Sequence, residues 1–149
     1  MKLIIPVFLA LILVSCRNAT IVPIDYGHDQ CSYCSMMMID PHYGAELLTH
    51  KGKAYKFDSV ECLAAYYQSR INQKDVKSLW VVNFRKPKSF IDASKAVYLH
   101  SLKLKSPMGL NLTAFQNREQ IKVHDPILSW KAVQKLVYQK WLKGKIKHQ

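Results

Sequence analysis

The chain has 149 residues, and 22 lysines and arginines against 10 acidic residues give it a formal net charge of +12. That length excludes a large multidomain enzyme and suits one compact domain or two very small subdomains sharing a core. The lysines are spread along the chain with a denser run at the C-terminus, which points to an anionic lipid surface or an acidic partner.

The first segment, Met1 to Cys16, is one lysine followed by a twelve-residue apolar run from Leu3 to Val14. It reads as an export signal, too short for a membrane-spanning helix of about 20 apolar residues. Leu13-Val14-Ser15-Cys16 resembles the lipobox of bacterial lipoproteins. Residues 1–15 are therefore expected to be a cleaved signal peptide. Cys16 becomes a lipidated N-terminus on the cell membrane or outer membrane, facing an extracytoplasmic compartment, the periplasm in a two-membrane cell. Nucleic acid is not a partner for such a protein. Residues 16–29, polar and weakly patterned with Pro23 and Gly27, form the tether.

Soft sulfur is concentrated next. Cys31-Ser32-Tyr33-Cys34-Ser35-Met36-Met37-Met38 holds two of the four cysteines and three of the five methionines. Thiolate with thioether selects Cu(I), whereas structural zinc sites use thiolate and imidazole. An extended run over 34–38 places Cys34, Met36 and Met38 on one face at steps of about 7 Å. Met37 and Ile39 then pack into the core, Met38 is open to either role, and Cys31 folds back from the preceding turn toward the sulfur face. Once Cys16 is lipidated, Cys31, Cys34 and Cys62 remain, an odd number that leaves at least one thiol free, metal-bound or joined to another chain.

Residues 30–86 read as a first strand-strand-helix-strand unit. Ala45 to Thr49 and Ala54 to Phe57 form a hairpin around Lys51-Gly52-Lys53. Asp58 followed by Glu61 has the spacing of a capping box and starts a helix. The stripe Val60, Leu63, Ala64, Tyr67 and Ile71 faces a sheet and leaves Cys62 off it. Leu79 to Phe84 is a buried strand.

Residues 87–149 read as a thinner second unit of the same kind. Strands are expected over Ala96–Leu104 and Leu110–Phe115, a helical turn at Asn117–Gln120 and a strand at Ile121–Val123. Asp125-Pro126 opens a final amphipathic helix running to about Lys143, with Ile127, Trp130, Val133, Val137 and Trp141 on one face and Gly144 closing it. The fold class is α+β, two small units sharing a core plus a C-terminal helix.

No nucleophile elbow, phosphate loop or spaced carboxylate pair is present, so the chain reads as a binding protein rather than an enzyme. Cys34 and Met36 are the leading Cu(I) ligands, with Cys31 as a further one and His100 or His28 as possible nitrogen donors. Two other readings use the same cysteines. One is a thiol-disulfide protein cycling Cys31 and Cys34, although such pairs sit at helix N-termini. The other is a structural zinc site of Cys31, Cys34, Cys62 and His28 or His50, which leaves the methionines without a role.

Several separated motifs together resemble the NosL family: Cys31-x-x-Cys34-x-Met36, Tyr55-Lys56-Phe57-Asp58, Phe90-Ile91-Asp92-Ala93-x-x-Ala96-Val97-Tyr98, Ser106-Pro107-Met108-Gly109 and Thr113-Ala114-Phe115. The resemblance implies a membrane-tethered Cu(I) chaperone that supplies copper for the copper-sulfide centre of nitrous-oxide reductase, acting on the reductase or its membrane assembly complex. It also implies that Met108, in a Pro-Met-Gly turn, joins Cys34 and Met36 as a ligand. Family members commonly have glycine where this chain has Ser35, and the basic tail from Lys140 has no clear counterpart.

Overall fold

Residues 20–145 are described in the computed structural model; the expected signal peptide and Cys16 lie outside the described residues. Two antiparallel sheets and two helices make up the α+β fold. The first sheet has the order β2-β1-β3-β4. Its central strand β1, Ala45–Thr49, is buried along its length and pairs on one side with β2, Ala54–Phe57. On the other side it pairs with β3, Val76–Val82, in the register Ala45 opposite Val81 and Leu47 opposite Leu79. The β1–β2 turn closes where Thr49 Oγ1 accepts the Lys53 N–H at 3.0 Å and Gly52 takes a φ of +81°. β4, Phe90–Asp92, pairs with β3 and extends this sheet beyond Pro87.

The third strand starts three residues earlier than the apolar run suggests and stops at Val82. Asn83 ends it, since its side-chain oxygen accepts the Arg85 N–H at 3.1 Å and its carbonyl accepts the Lys86 N–H at 2.9 Å, turning the chain.

Helix α1, Val60–Ser69, has Ser59 rather than Asp58 as its N-cap: the Ser59 hydroxyl accepts the Cys62 N–H at 3.4 Å. The capping box is therefore absent, because Cys62 and not Glu61 stands three residues after the cap. Every residue from Val60 to Tyr66 is buried. The single-stripe expectation holds for Val60, Leu63 and Ala64, but α1 is also covered by β6 and α2, and Cys62 is 0% exposed.

The second sheet has the order β6-β5-β7, from β5, Val97–His100, β6, Leu112–Phe115, and β7, Ile127–Leu128. Ile121–Val123 is not a strand. The third strand comes instead from the start of the expected C-terminal helix. The His100 N–H donates to the Pro126 carbonyl at 2.9 Å, which keeps the chain extended through Leu128. Ser129 then caps α2, Trp130–Val137, by accepting the Ala132 N–H at 3.3 Å. A π-helical turn, Tyr138–Leu142, continues α2, and Gly144 follows at a φ of +83°. The expected helical turn after β6 is a short 3-10 segment, Arg118–Gln120.

Phe57, Leu47, Leu63, Val81, Tyr98, Leu112, Val133 and Val137 form one core, with α1 between the first sheet and the β6–α2 side. Both sheets thus contact the same helix, which helps a chain of this size cover enough apolar surface. Among the described residues no helix is long and apolar enough to cross a membrane.

Candidate metal centre

The sulfur-rich segment is a tight hairpin turn, not a strand. Gln30 and Met37 form an isolated antiparallel bridge, the Cys31 N–H donates to the Met36 carbonyl at 2.8 Å, and the Ser35 N–H donates to the Cys31 carbonyl at 2.9 Å. The Ser32 N–H donates to the Lys56 carbonyl at 2.8 Å, fastening the loop beside β2. Ser35 sits at a φ of +64°, so the side-chain alternation expected over 34–38 is broken there. The core methionine is consequently Met38, left open by the sequence, and not Met37. Met38 is 1% exposed and fills the core, held by its N–H to the Asp29 carbonyl at 2.9 Å. Met37 is 50% exposed and Ile39 76% exposed.

The left-handed backbone at Ser35 favours glycine and costs a residue with a Cβ roughly 1–2 kcal/mol. Ser35→Gly is expected to hold stability or raise it by up to about 1 kcal/mol, because glycine's extra unfolded-state entropy offsets part of the gain. Ser35→Val is expected to lower it by about 1–3 kcal/mol. Chemical denaturation of the two variants beside the parent chain checks both.

Four donors converge behind this turn. The sulfurs of Cys31, Cys34 and Cys62 and a carboxylate oxygen of Asp58 all lie within 4.8 Å of one another. No disulfide joins the three cysteines. Cys31 and Cys62 are buried and Cys34 is half-buried, its thiol donating to Asp58 Oδ2 at 3.6 Å. Asp58 Oδ1 is buried with no hydrogen-bond partner among the described protein groups. Because Ser59 takes over the cap, the Asp58 carboxylate is released from helix duty and turned to the thiols. An orphaned buried oxygen beside three sulfurs suits a bound metal ion.

The thiols differ in proton affinity. The Cys62 S–H lowers the Cys31 thiol to about 6, against burial and helped by backbone N–H groups of the loop. Cys62, the proton donor of that pair, is pushed far up, chiefly by the Cys31 interaction and then by burial. Burial, reinforced by the charges on Cys31 and Asp58, raises Cys34 to about 11. A metal binding here at neutral pH meets one ready thiolate and displaces protons from the others. Affinity is therefore expected to climb with pH, by about tenfold per unit for each thiol deprotonated on binding, up to the raised Cys34 value where Cys34 alone loses its proton and beyond it where Cys62 does too. Competition titrations at two pH values one unit apart read the number: a tenfold rise means Cys34 alone, a hundredfold rise means Cys34 and Cys62.

Of the sequence-derived ligands, Cys31 and Cys34 are brought together. Met36 is 52% exposed on an adjoining groove of about 680 Å³. Asp58, Met37, Met38 and Pro107 line the same groove, so the Pro-Met-Gly turn borders it through the residue before Met108. Met108 itself is half-buried against the core. Its turn is tied to α1: the Ser106 hydroxyl donates to the buried Glu61 carboxyl, next to Cys62, and accepts the Asn111 N–H at 2.9 Å. His28, His50 and His100 are not among the four converging donors.

Asp58 escapes the sequence reading because it has an ordinary explanation as a helix cap, and Cys62 enters that reading only as a ligand of the alternative zinc site. Asp58 stands one residue before the N-cap and Cys62 three residues after it, and the turn into α1 brings both to the other two thiols. The loop is also braced from outside. Tyr33 stacks on Trp141 with ring centroids 6.3 Å apart and planes 5° from parallel. The Arg70 guanidinium lies 4.5 Å from the Tyr33 ring centroid and donates to the Tyr33 carbonyl at 3.1 Å.

The sequence model of the NosL family matches residues 23–124. The crystal structure of the copper chaperone NosL from Shewanella denitrificans has a similar fold, with a TM-score of 0.65 at 20% sequence identity, covering 76% of this chain and 94% of that one. No curated protein matches the sequence.

Proposed function

This chain belongs to the NosL family, and from that membership we infer that it is a Cu(I) carrier rather than a catalyst. It holds the ion on the Cys31, Cys34 and Cys62 sulfurs and releases it past Met36 and Met108. The observation that carries this reading is the convergence of three thiols within 4.8 Å beside a methionine-lined groove. Thiolates accept Cu(I) at low coordination number, and thioethers at the rim offer exchangeable soft donors. Transfer then needs no unbound ion: an incoming acceptor sulfur attaches before a resident ligand leaves.

The leader and lipobox-like sequence support attachment through Cys16 to a membrane, facing an extracytoplasmic compartment. Family membership supports delivery to nitrous-oxide reductase or its membrane assembly complex, for its copper-sulfide centre. The test is deletion of the gene in the native host. Loss of nitrous-oxide reduction that added copper restores, and that a Cys16→Ala copy rescues poorly, is expected. Reduction unaffected by the deletion under copper limitation overturns the delivery role.

One observation favours a second reading. Asp58 contributes an oxygen to the sulfur cluster, and three thiolates with one carboxylate form a four-donor set suited to Zn²⁺. If Cu(I) is the cargo, Asp58→Asn leaves Cu(I) affinity within about threefold. If the site is built for zinc, the same change weakens Zn²⁺ by about 10–100-fold and chelation unfolds the protein. Parallel titrations with both ions decide between them.

A further inference from the structure

From Pro126 to Gln149 the sequence holds six lysines, Lys131, Lys135, Lys140, Lys143, Lys145 and Lys147, and no acidic residue. The match to the NosL family model ends at residue 124, so this stretch lies beyond the matched region. All of these lysines but Lys147, which lies outside the described residues, are exposed, and none has an acidic partner among the described residues. We propose that the outer face of α2 and its π-helical extension is a docking surface for the anionic phospholipid headgroups of a membrane, and that it seats the sulfur loop beside the bilayer.

Lys131, Lys135 and Tyr138 stand at i, i+4 and i+7 on α2 and make one stripe. In an uninterrupted α-helix Trp141 and Leu142 would continue it. The π-helical turn changes that: the Lys143 N–H donates to the Tyr138 carbonyl at 2.8 Å, which returns Lys143 above Tyr138, while Leu142 stays in the core. Tyr138 is 40% exposed among the lysines. Its apolar ring and polar tip suit the boundary between headgroups and water. Behind the face, Trp141 stacks on Tyr33 in the sulfur loop, and the exposed Arg70 lies over the same Tyr33 ring. The basic surface therefore runs up to the loop that carries Cys31 and Cys34.

Two observations choose a lipid surface over an acidic protein. The charge on α2 and its extension is all lysine. Lysine is depleted in protein interfaces, where arginine is enriched, but each lysine near a charged bilayer adds about fivefold in affinity through diffuse attraction. The domain is also held close to its attachment point, since the Val22 N–H donates to Glu46 Oε2 on β1 at 2.9 Å. The chain from Cys16 to Val22 reaches at most about 20 Å. This second argument rests on the proposed anchoring through Cys16; the lysine face itself does not.

The experiment uses the processed chain, residues 16–149, with Cys16→Ser so that no lipid contributes, sedimented with vesicles of phosphatidylcholine and phosphatidylglycerol at roughly 2:1. Binding is expected, and it should vanish on phosphatidylcholine alone. Lys135→Gln with Lys143→Gln should weaken it by about 10–30-fold. Lys86→Gln with Lys88→Gln removes the same charge from the exposed loop between β3 and β4 and should weaken it by no more than about threefold. Equal losses in the two double variants overturn the proposal. So does a chain that ignores the anionic vesicles, and saturable binding to polyglutamate in that case assigns the face to an acidic protein. Vesicle binding by a chain that holds no Cu(I) overturns the copper reading alone, and native protein recovered without lipid on Cys16 overturns the anchor alone.

Discussion

Cys34→Ser is expected to weaken Cu(I) binding by at least about 100-fold while leaving the unfolding free energy within about 1 kcal/mol of the parent chain. Cys34 is the half-buried thiol of the cluster and the one bonded to Asp58. A serine hydroxyl keeps that hydrogen bond to the carboxylate, so no buried group is newly orphaned and the fold has little to lose. What disappears is the soft donor, because an alcohol does not ionise in the working range and oxygen is a poor ligand for Cu(I). Cys62→Ser makes the contrast. At a fully buried position inside α1 the added hydroxyl lacks solvent, and about 1–3 kcal/mol of stability is expected to go with the affinity. Met36→Leu and Met108→Leu should give smaller losses of affinity, and Met37→Leu none. Anaerobic competition against a Cu(I) chelator, paired with urea denaturation, reads both axes. Unchanged affinity in Cys34→Ser removes Cys34 from the ligand set.

The second large effect is on the scaffold. Gly44→Ala is expected to cost about 3 kcal/mol or more, from two independent sources. Gly44 has a φ of +135°, a backbone region that side chains rarely enter. An added Cβ would also stand 2.7 Å from the Tyr26 hydroxyl oxygen, 2.8 Å from Ile24 Cδ1 and 3.3 Å from Val82 Cγ2. The first two atoms belong to the segment that leads into the sulfur loop. Tyr26 is anchored there, its hydroxyl donating to the Tyr43 carbonyl at 2.6 Å, and it lines the groove beside Asp58. Relief of the clash therefore displaces the wall of the metal site, and copper affinity is expected to fall along with stability. Gly52→Ala is the matched control: its φ is +81° and nothing lies within 4 Å of the new Cβ, so roughly 1 kcal/mol covers its cost. Equal losses at the two positions would exclude the steric account.

Much of the architecture was legible because it depends on local signals. The hairpin around Gly52, the start of α1 and the face of the last helix formed by Trp130, Val133, Val137 and Trp141 follow from turn chemistry and periodicity. The failures share a different cause. Ile127 fits the expected helical face, yet pairing with β5, a contact distant in sequence, holds it and Leu128 extended. Asp58 was the natural cap on local grounds, and the choice of Ser59 instead settles only when the carboxylate has thiols to face. At the site, Cys31 and Cys34 stood out by spacing, whereas Cys62 entered only as part of the zinc alternative, and its place beside them is set by tertiary packing. Met37, expected in the core, is exposed and Met38 fills the core instead, because a single left-handed residue reset the alternation, and serine does not announce that conformation as glycine does.

Division of labour at the start of α1 has its own consequence. Helix nucleation there is completed by a hydroxyl, while the neighbouring carboxylate faces the thiol cluster. Loading and unloading an ion consequently leave the first turn of the helix fastened. For the Cu(I) carrier proposed above, release is then decided among the sulfur ligands rather than against the cost of refolding the helix start.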